Sequence, residues 1–307
     1  MNEPYLSLFN KIDFKRIIDH PNILIAAAFW DEDRYQAAKT CYKYMRAIDD
    51  LIDCHKSVHS YIAESEKKQF LESVQSWIAI ARNTAESNPA QHELLDTIRR
   101  FHIPVWPLEA FARSMIYDID HTGFLTVNDF LDYSQGASVA PASIFVHLNG
   151  LRRNGKEYLA PAFDVKSAAT PCAIFSYLVH IIRDFQKDQR NNLNCFANDV
   201  ITKNGLTSAD LRKIAEGAPI TNGFRNIIKT YCSLAETYRH KTFQVIEQIS
   251  PLLEPTYRLS LQIIFNLYLM VYERIDIEEG SFTTEELNPT PEEIKQRVYE
   301  TIISFKE

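Results

Sequence analysis

Glycine fills only 8 of the 307 positions of this chain, under half its usual share of about 7%. Glycine supplies left-handed backbone and close backbone approach. Its scarcity weighs against turn-dense β architectures and glycine-rich nucleotide loops, and favours long helices. The apolar pattern agrees. Across 33–53, Ala37, Ala38, Cys41, Tyr44, Met45, Ile48 and Ile52 recur close to every 3.6 positions, the period of a helix with one buried face. Further helices are expected near 61–84, 88–101, 105–119, 126–135, 138–150, 167–190, 207–216, 222–249, 252–277 and 290–305. Breaks fall between them at Asn88-Pro89, Ile103-Pro104, Asn149-Gly150, Asn204-Gly205, Ser250-Pro251 and Asn288-Pro289. Thr207 or Ser208 is placed to cap the helix of GLTSADLRKI, with Asp210 in its first turn. No run of alternating strands, fixed-period repeat or low-complexity linker interrupts this pattern. The reading is one all-α domain over 1–307, and 46% hydrophobic residues can fill a large core.

Bulk chemistry narrows the function. A formal charge of −7 argues against a nucleic-acid partner. Cys41, Cys54, Cys172, Cys195 and Cys232 form no CxxC, and MNEPYLSLFNK lacks a signal-peptide pattern, so reduced thiols in a cytoplasmic protein are expected. No 18 consecutive residues are all apolar, which argues against a membrane span and leaves peripheral membrane contact open. Nothing specifies an oligomeric state. GxGxxG, Walker A and GxSxG patterns are absent, and no Glu is followed three places later by His, so dinucleotide, P-loop, hydrolase and di-iron readings lapse. NADPH use has no supporting feature. Residues 118–129, DIDHTGFLTVND, resemble a calcium loop but carry Asp129 in place of the closing Glu. Thr126 as a helix cap, with Asp129 in the first turn, accounts for the same spacing without an ion.

Two aspartate pairs carry the chemistry: Asp49 and Asp53 in RAIDDLID, and Asp184 and Asp188 in HIIRDFQKD. On a helix, i,i+4 spacing puts both carboxylates on one face. Two such faces across a cavity would hold a hard cation such as Mg²⁺, which takes oxygen ligands and bridges to substrate phosphates. Arg46 and Arg183 precede the pairs, and an arginine fork suits diphosphate oxygens. Lys187 and Arg190 read as solvated, and His180 as a core or cavity-wall histidine.

Those segments resemble the squalene/phytoene synthase family over roughly residues 20–210, with 211–307 read as helices completing the bundle. AAKTCYKYMRAIDDLID is similar to the family's first aspartate-rich motif, placing Tyr42, Arg46, Asp49, Asp50 and Asp53 on its positions. VHIIRDFQKD resembles the second motif, and DFLDYSQGASVAPASIFVHLNG the tyrosine-containing stretch between them, with the bacterial squalene-forming branch most similar. The resemblance implies an isoprenoid synthase fold with a central cavity. It also implies Mg²⁺-dependent head-to-head condensation of two prenyl diphosphates, farnesyl diphosphate favoured, through a cyclopropylcarbinyl diphosphate to a squalene-like or phytoene-like product. Asp49, Asp50, Asp53, Asp184 and Asp188 become the metal ligands. Tyr133 joins the catalytic set, and Arg46, Arg183, Tyr42 and His20 become diphosphate contacts. Alternatives are a terpene-forming relative that ionises one prenyl diphosphate, or a catalytically silent binding or assembly module of the same fold. The chain departs from the family at Tyr177 and His180, where Gln and Asn are usual, and at Leu193 to Ala197, where Arg-x-Tyr-Leu-Pro is usual. It departs again at His20 to Ile23, where many members carry a serine-rich contact.

Overall fold

Helices form where the apolar period places them. The computed structural model describes residues 3–14, 22–59, 61–82 and 89–306, with the backbone alone for 89 and 90. In chain order the larger elements are α1 (Glu3–Phe9), α2 (Asn22–Ala27), α3 (Glu32–His59), α4 (Glu64–Ala81), α5 (Pro89–Arg100), α6 (Trp106–Asp120), α7 (Val127–Ser134) and α8 (Ala140–Gly150). After a short hairpin come α9 (Val165–Arg183), α10 (Phe185–Arg190), α11 (Asn198–Lys203), α12 (Ser208–Ala215), α13 (Asn222–Ile249), α14 (Pro255–Tyr272), α15 (Thr284–Leu287) and α16 (Pro291–Ser304). The fold is all-α, as expected.

The α9 helix is apolar on nearly every side and lies against α7, α8, α13 and α14. A helix of that composition needs burial all round. By length and composition it could also cross a membrane, but here 56% of its apolar window is buried inside the bundle. The α3 helix buries a single stripe, including Ala37, Cys41, Met45, Ile48 and Ile52, against α6 and α8, and leaves its aspartates on the next face round.

Three local features depart from the sequence reading. The expected continuous helix over 167–190 breaks at Asp184, whose backbone (φ −90°, ψ 0°) ends α9 and starts α10. Two helical hydrogen bonds persist at the break, from Asp184 N to His180 O and from Asp188 N to Asp184 O, each at 2.8 Å. Residues 152–154 and 157–159 form a two-stranded antiparallel hairpin turning at Gly155-Lys156, with Gly155 at φ 62°. Glycine at the first central position of a two-residue turn is a hairpin signal, but three-residue strands are too short to show an alternating pattern. Finally, the expected gap between 126–135 and 138–150 is bridged by a π-helical turn, Gln135–Val139. Gly136 is required there, because a Cβ would lie 2.2 Å from both the Ala110 carbonyl oxygen and Ser114 Oγ of α6.

Caps follow the reading. Thr207 forms a capping box with Asp210, and Thr126 forms one with Asp129, whose carboxylate accepts from Thr126 N and Oγ1 at 2.8 and 2.9 Å. Asp129 is therefore committed to a helix start, and Asp118 points to a different partner, described below. The five cysteines are free thiols.

Candidate active site

The broken α9–α10 helix and the acidic face of α3 line one cavity of ≈ 510 Å³. The α3 helix contributes Arg46, Asp49, Asp50, Asp53 and Lys56. Asp184, Lys187 and Asp188 come from the α9–α10 junction, Asp118 from α6 and Tyr133 from α7. All five aspartates expected from the two motifs thus reach the same chamber, although Asp184 arrives from the break between two helices.

Crowding governs the electrostatics. Burial, then the neighbouring Asp53, pushes Asp49 up to about 7. Burial, then Asp184, pushes Asp188 up to about 7. Asp53 is raised chiefly by burial, against the opposing charges of Lys56 and Arg46. Asp184 is the exception: burial acts to raise it, but Arg183 outweighs burial and leaves it below the usual carboxylate value. That arginine makes a two-pronged contact, Nε to Oδ1 at 2.8 Å and Nη2 to Oδ2 at 2.6 Å.

The expected diphosphate contacts fall in different places. Arg183 is engaged with Asp184 and does not line the acidic chamber. Tyr42 lines an adjoining apolar cavity instead. Arg46 does line the chamber, ion-paired to Asp49 and Asp50 of its own helix. His20 falls outside the described residues. Lys187, read as solvated, lines the chamber. Two further groups have no motif to announce them. The first is Asp118, noticed in the sequence only as the head of the calcium-like loop. The second is Lys56, which donates to the carbonyls of Asp118 and His121 at 3.0 and 2.8 Å and so caps the end of α6.

The acidic chamber adjoins an apolar cavity of ≈ 300 Å³, and Arg46, Ala137, Tyr177 and His180 line both. Leu24, Met45, Phe145, Leu148 and Tyr268 line it further in. A smaller space of ≈ 50 Å³ continues past Phe145 and Tyr268 to Ile249, Leu261 and Ile264. His180 stands at the junction, its ring edge-on to Tyr268 at 5.2 Å. Burial, then the charge of Arg183, pushes it down to about 3, so the imidazole is neutral. Tyr177 stacks on Phe130 at 5.2 Å beside it. A polar chamber leading into an apolar tube is shaped for a polyanionic head on a long hydrocarbon.

An all-oxygen donor set suits a hard divalent cation. Among the described residues no three metal-ligating side chains are gathered tightly enough to hold an ion unaided. Mg²⁺ keeps waters and commonly takes one or two carboxylates, with substrate phosphates completing its shell. Mutually repelling carboxylates around an open chamber fit that mode of binding.

A pH-dependent metal effect follows. Asp49 and Asp188 rise from 3.8 in the free residue to about 7 in the fold. Their contribution to metal-free stability is therefore complete below about pH 4 and is lost as pH rises through 7. Millimolar Mg²⁺ is expected to raise the unfolding temperature by a few degrees at pH 8 and by little at pH 5. Thermal melts with Mg²⁺ and with a chelator at both pH values test this. Equal shifts at the two would count against the carboxylates as the binding groups.

Residues 20–290 match the squalene/phytoene synthase family. The chain belongs to that family. Members of this squalene/phytoene synthase family are prenyltransferases that act on prenyl diphosphates with a divalent metal. Phytoene synthase 1, chloroplastic, of Zea mays is 23% identical over 222 residues, which are 71% of this chain and 50% of that protein. The chain thus spans about half the length of this curated relative. The crystal structure of a dehydrosqualene synthase in complex with ligand superposes with a TM-score of 0.65 at 16% identity, covering 97% of this chain and 99% of that one. Squalene synthase HpnC from Alicyclobacillus acidocaldarius gives 0.65 at 15% identity over 90% and 95% of the two chains. YisP from Bacillus subtilis gives 0.62 at 15% identity over 95% of each. At such identities these likenesses establish the fold.

Proposed function

We propose that this protein condenses two prenyl diphosphates head to head in a Mg²⁺-dependent reaction, with farnesyl diphosphate as the favoured substrate and a squalene-like or phytoene-like product. The observation that carries this reading is the six-carboxylate chamber lying against an apolar cavity, with Arg46, Ala137, Tyr177 and His180 lining both.

Asp49, Asp50, Asp53, Asp184 and Asp188 would hold the metal. When bound there, Mg²⁺ supplies Lewis-acid charge to the diphosphate oxygens as the allylic bond breaks. Arg46 and Lys187 line the same chamber and can turn to those oxygens, the arginine by a two-pronged grip. Arg183 acts one step back, keeping the Asp184 carboxylate ionised and oriented. The aromatic faces of Tyr133 and Tyr177 meet the chamber where positive charge forms on carbon, and such faces stabilise cations. The neutral His180 adds no competing positive charge at the mouth of the apolar cavity. Tyr42 lines the route of the hydrocarbon.

The test is to incubate the purified protein with Mg²⁺ and farnesyl or geranylgeranyl diphosphate, following released pyrophosphate and the organic extract. A C30 hydrocarbon or its cyclopropylcarbinyl precursor from farnesyl diphosphate is expected. Only C15 products would replace condensation with single-substrate ionisation. No release from either substrate by a folded sample would overturn the enzyme reading.

A further inference from the structure

Resting on the reading above, we infer that Asp118, anchored by Lys56, is the positioning residue for Tyr133: it accepts the phenol's one hydrogen bond so that the phenolic oxygen turns its lone pairs to the chamber where the allylic cation forms.

The geometry builds this from three helices. Tyr133 Oη donates to Asp118 Oδ2 at 2.7 Å, and both residues line the acidic chamber. A phenol has one proton, and this contact commits it; what remains toward the chamber is the oxygen's electron density. Donation into a carboxylate makes that oxygen richer in electrons than donation into water. The ring is clamped, with Phe124 and Tyr117 at 5.1 and 5.4 Å. Its backbone is held too, because Ser114 Oγ donates to the Tyr133 carbonyl at 2.9 Å.

Asp118 is fixed in turn. Lys56 is only 4% exposed. Two of its protons go to the carbonyls of Asp118 and His121, and its ammonium lies 3.8 Å from Asp118 Oδ1. Lys56 also stands three residues beyond Asp53 on α3, so the helix carrying the first aspartate motif and the helix carrying Asp118 are tied at this point. Burial pushes Asp118 up to about 6, with Lys56 and the Tyr133 hydrogen bond opposing it. Burial and then the Asp118 charge push Tyr133 well above 10. At neutral pH the pair is thus an ionised acid and an intact phenol. A preset dipole aimed at developing charge needs no reorganisation during the reaction.

A double-mutant cycle distinguishes positioning from packing and from metal binding. Asp118→Asn keeps the shape and removes the charge, while Tyr133→Phe removes the hydroxyl. Each single change is expected to lower kcat for pyrophosphate release from farnesyl diphosphate about 10²-fold, with KM and the Mg²⁺ half-saturation within about twofold of wild type. The double variant should be no slower than the slower single variant, because Asp118 acts only through Tyr133. Thermal melts confirm that all three fold. Two outcomes overturn the inference alone: multiplying losses in the double variant, or a several-fold rise in Mg²⁺ half-saturation in Asp118→Asn, which would make Asp118 a metal ligand. An inactive wild-type protein would overturn the functional reading and this inference with it.

Discussion

Changing Asp53 or Asp188 to Asn is expected to lower pyrophosphate release by at least about 10³-fold while leaving the metal-free fold as stable as before, or more so. The two signs come from one arrangement. Both carboxylates face a chamber that also holds Asp49, Asp118 and Asp184, and both are raised above the ordinary aspartate range, burial being the largest cause. A group raised in the fold opposes folding once pH exceeds its unfolded value and the fold must carry it ionised. Asn removes that opposition and keeps the shape. The same change removes a ligand for a cation whose charge is worth several kcal/mol in the transition state, and each 1.36 kcal/mol is a factor of ten in rate. Steady-state release, paired with melts in chelator, separates the effects. Near-normal release would remove the residue from the metal set. A fall in unfolding temperature matching the loss of activity would mean the carboxylate serves the fold instead.

This opposition between stability and activity explains why the aspartates were legible in the sequence. Six acids do not collect around one buried chamber for packing, and the five in motifs keep a helix period that can be read without coordinates. What the period does not encode is which face of one helix meets which face of another. Asp118 has no acidic partner three or four positions away on α6, and reaches the chamber only because α6 packs against α3 and the π-helical turn. Lys56 reads like any solvated lysine until α6 ends against it. Arg183 pairs with Asp184 for a backbone reason. Asp184 leaves the helical ladder at φ −90°, ψ 0°, which sets its carboxylate beside the preceding side chain rather than across the cavity from it. Local chemistry, by contrast, was readable. The capping boxes at Thr126 and Thr207 close within four residues and need no tertiary information.

Arg34 has the least visible role in the sequence, and Arg34→Met is expected to cost about 3–5 kcal/mol, the range for stripping one partner from a buried charged network. Nothing in EDRYQAAK marks it as different from a surface arginine at a helix start. In the fold it is 0% exposed. Its guanidinium donates to the carbonyls of Leu148 and Leu151 at 3.3 and 2.9 Å, just where α8 ends. It also lies 4.1 Å over the ring of Tyr257 and 3.3 Å from the Asp31 carboxylate, which accepts from the Tyr257 hydroxyl at 2.9 Å. A methionine fills most of the volume but leaves two buried carbonyls without their side-chain donor and removes the charge paired with Asp31. A lysine offers charge without the fork, so Arg34→Lys should recover only part of the loss. For a chain of this size the methionine variant should melt about 5–8 °C lower. Because Arg34 sits four helical turns from Asp49 on the same helix, the folded fraction should release pyrophosphate at close to the wild-type rate. A methionine variant that melts within 2–3 °C of wild type would show that solvent already satisfies those carbonyls. One that melts normally but loses activity would mean that the α3 axis, and with it the position of Asp49 and Asp53, is set from this end of the helix.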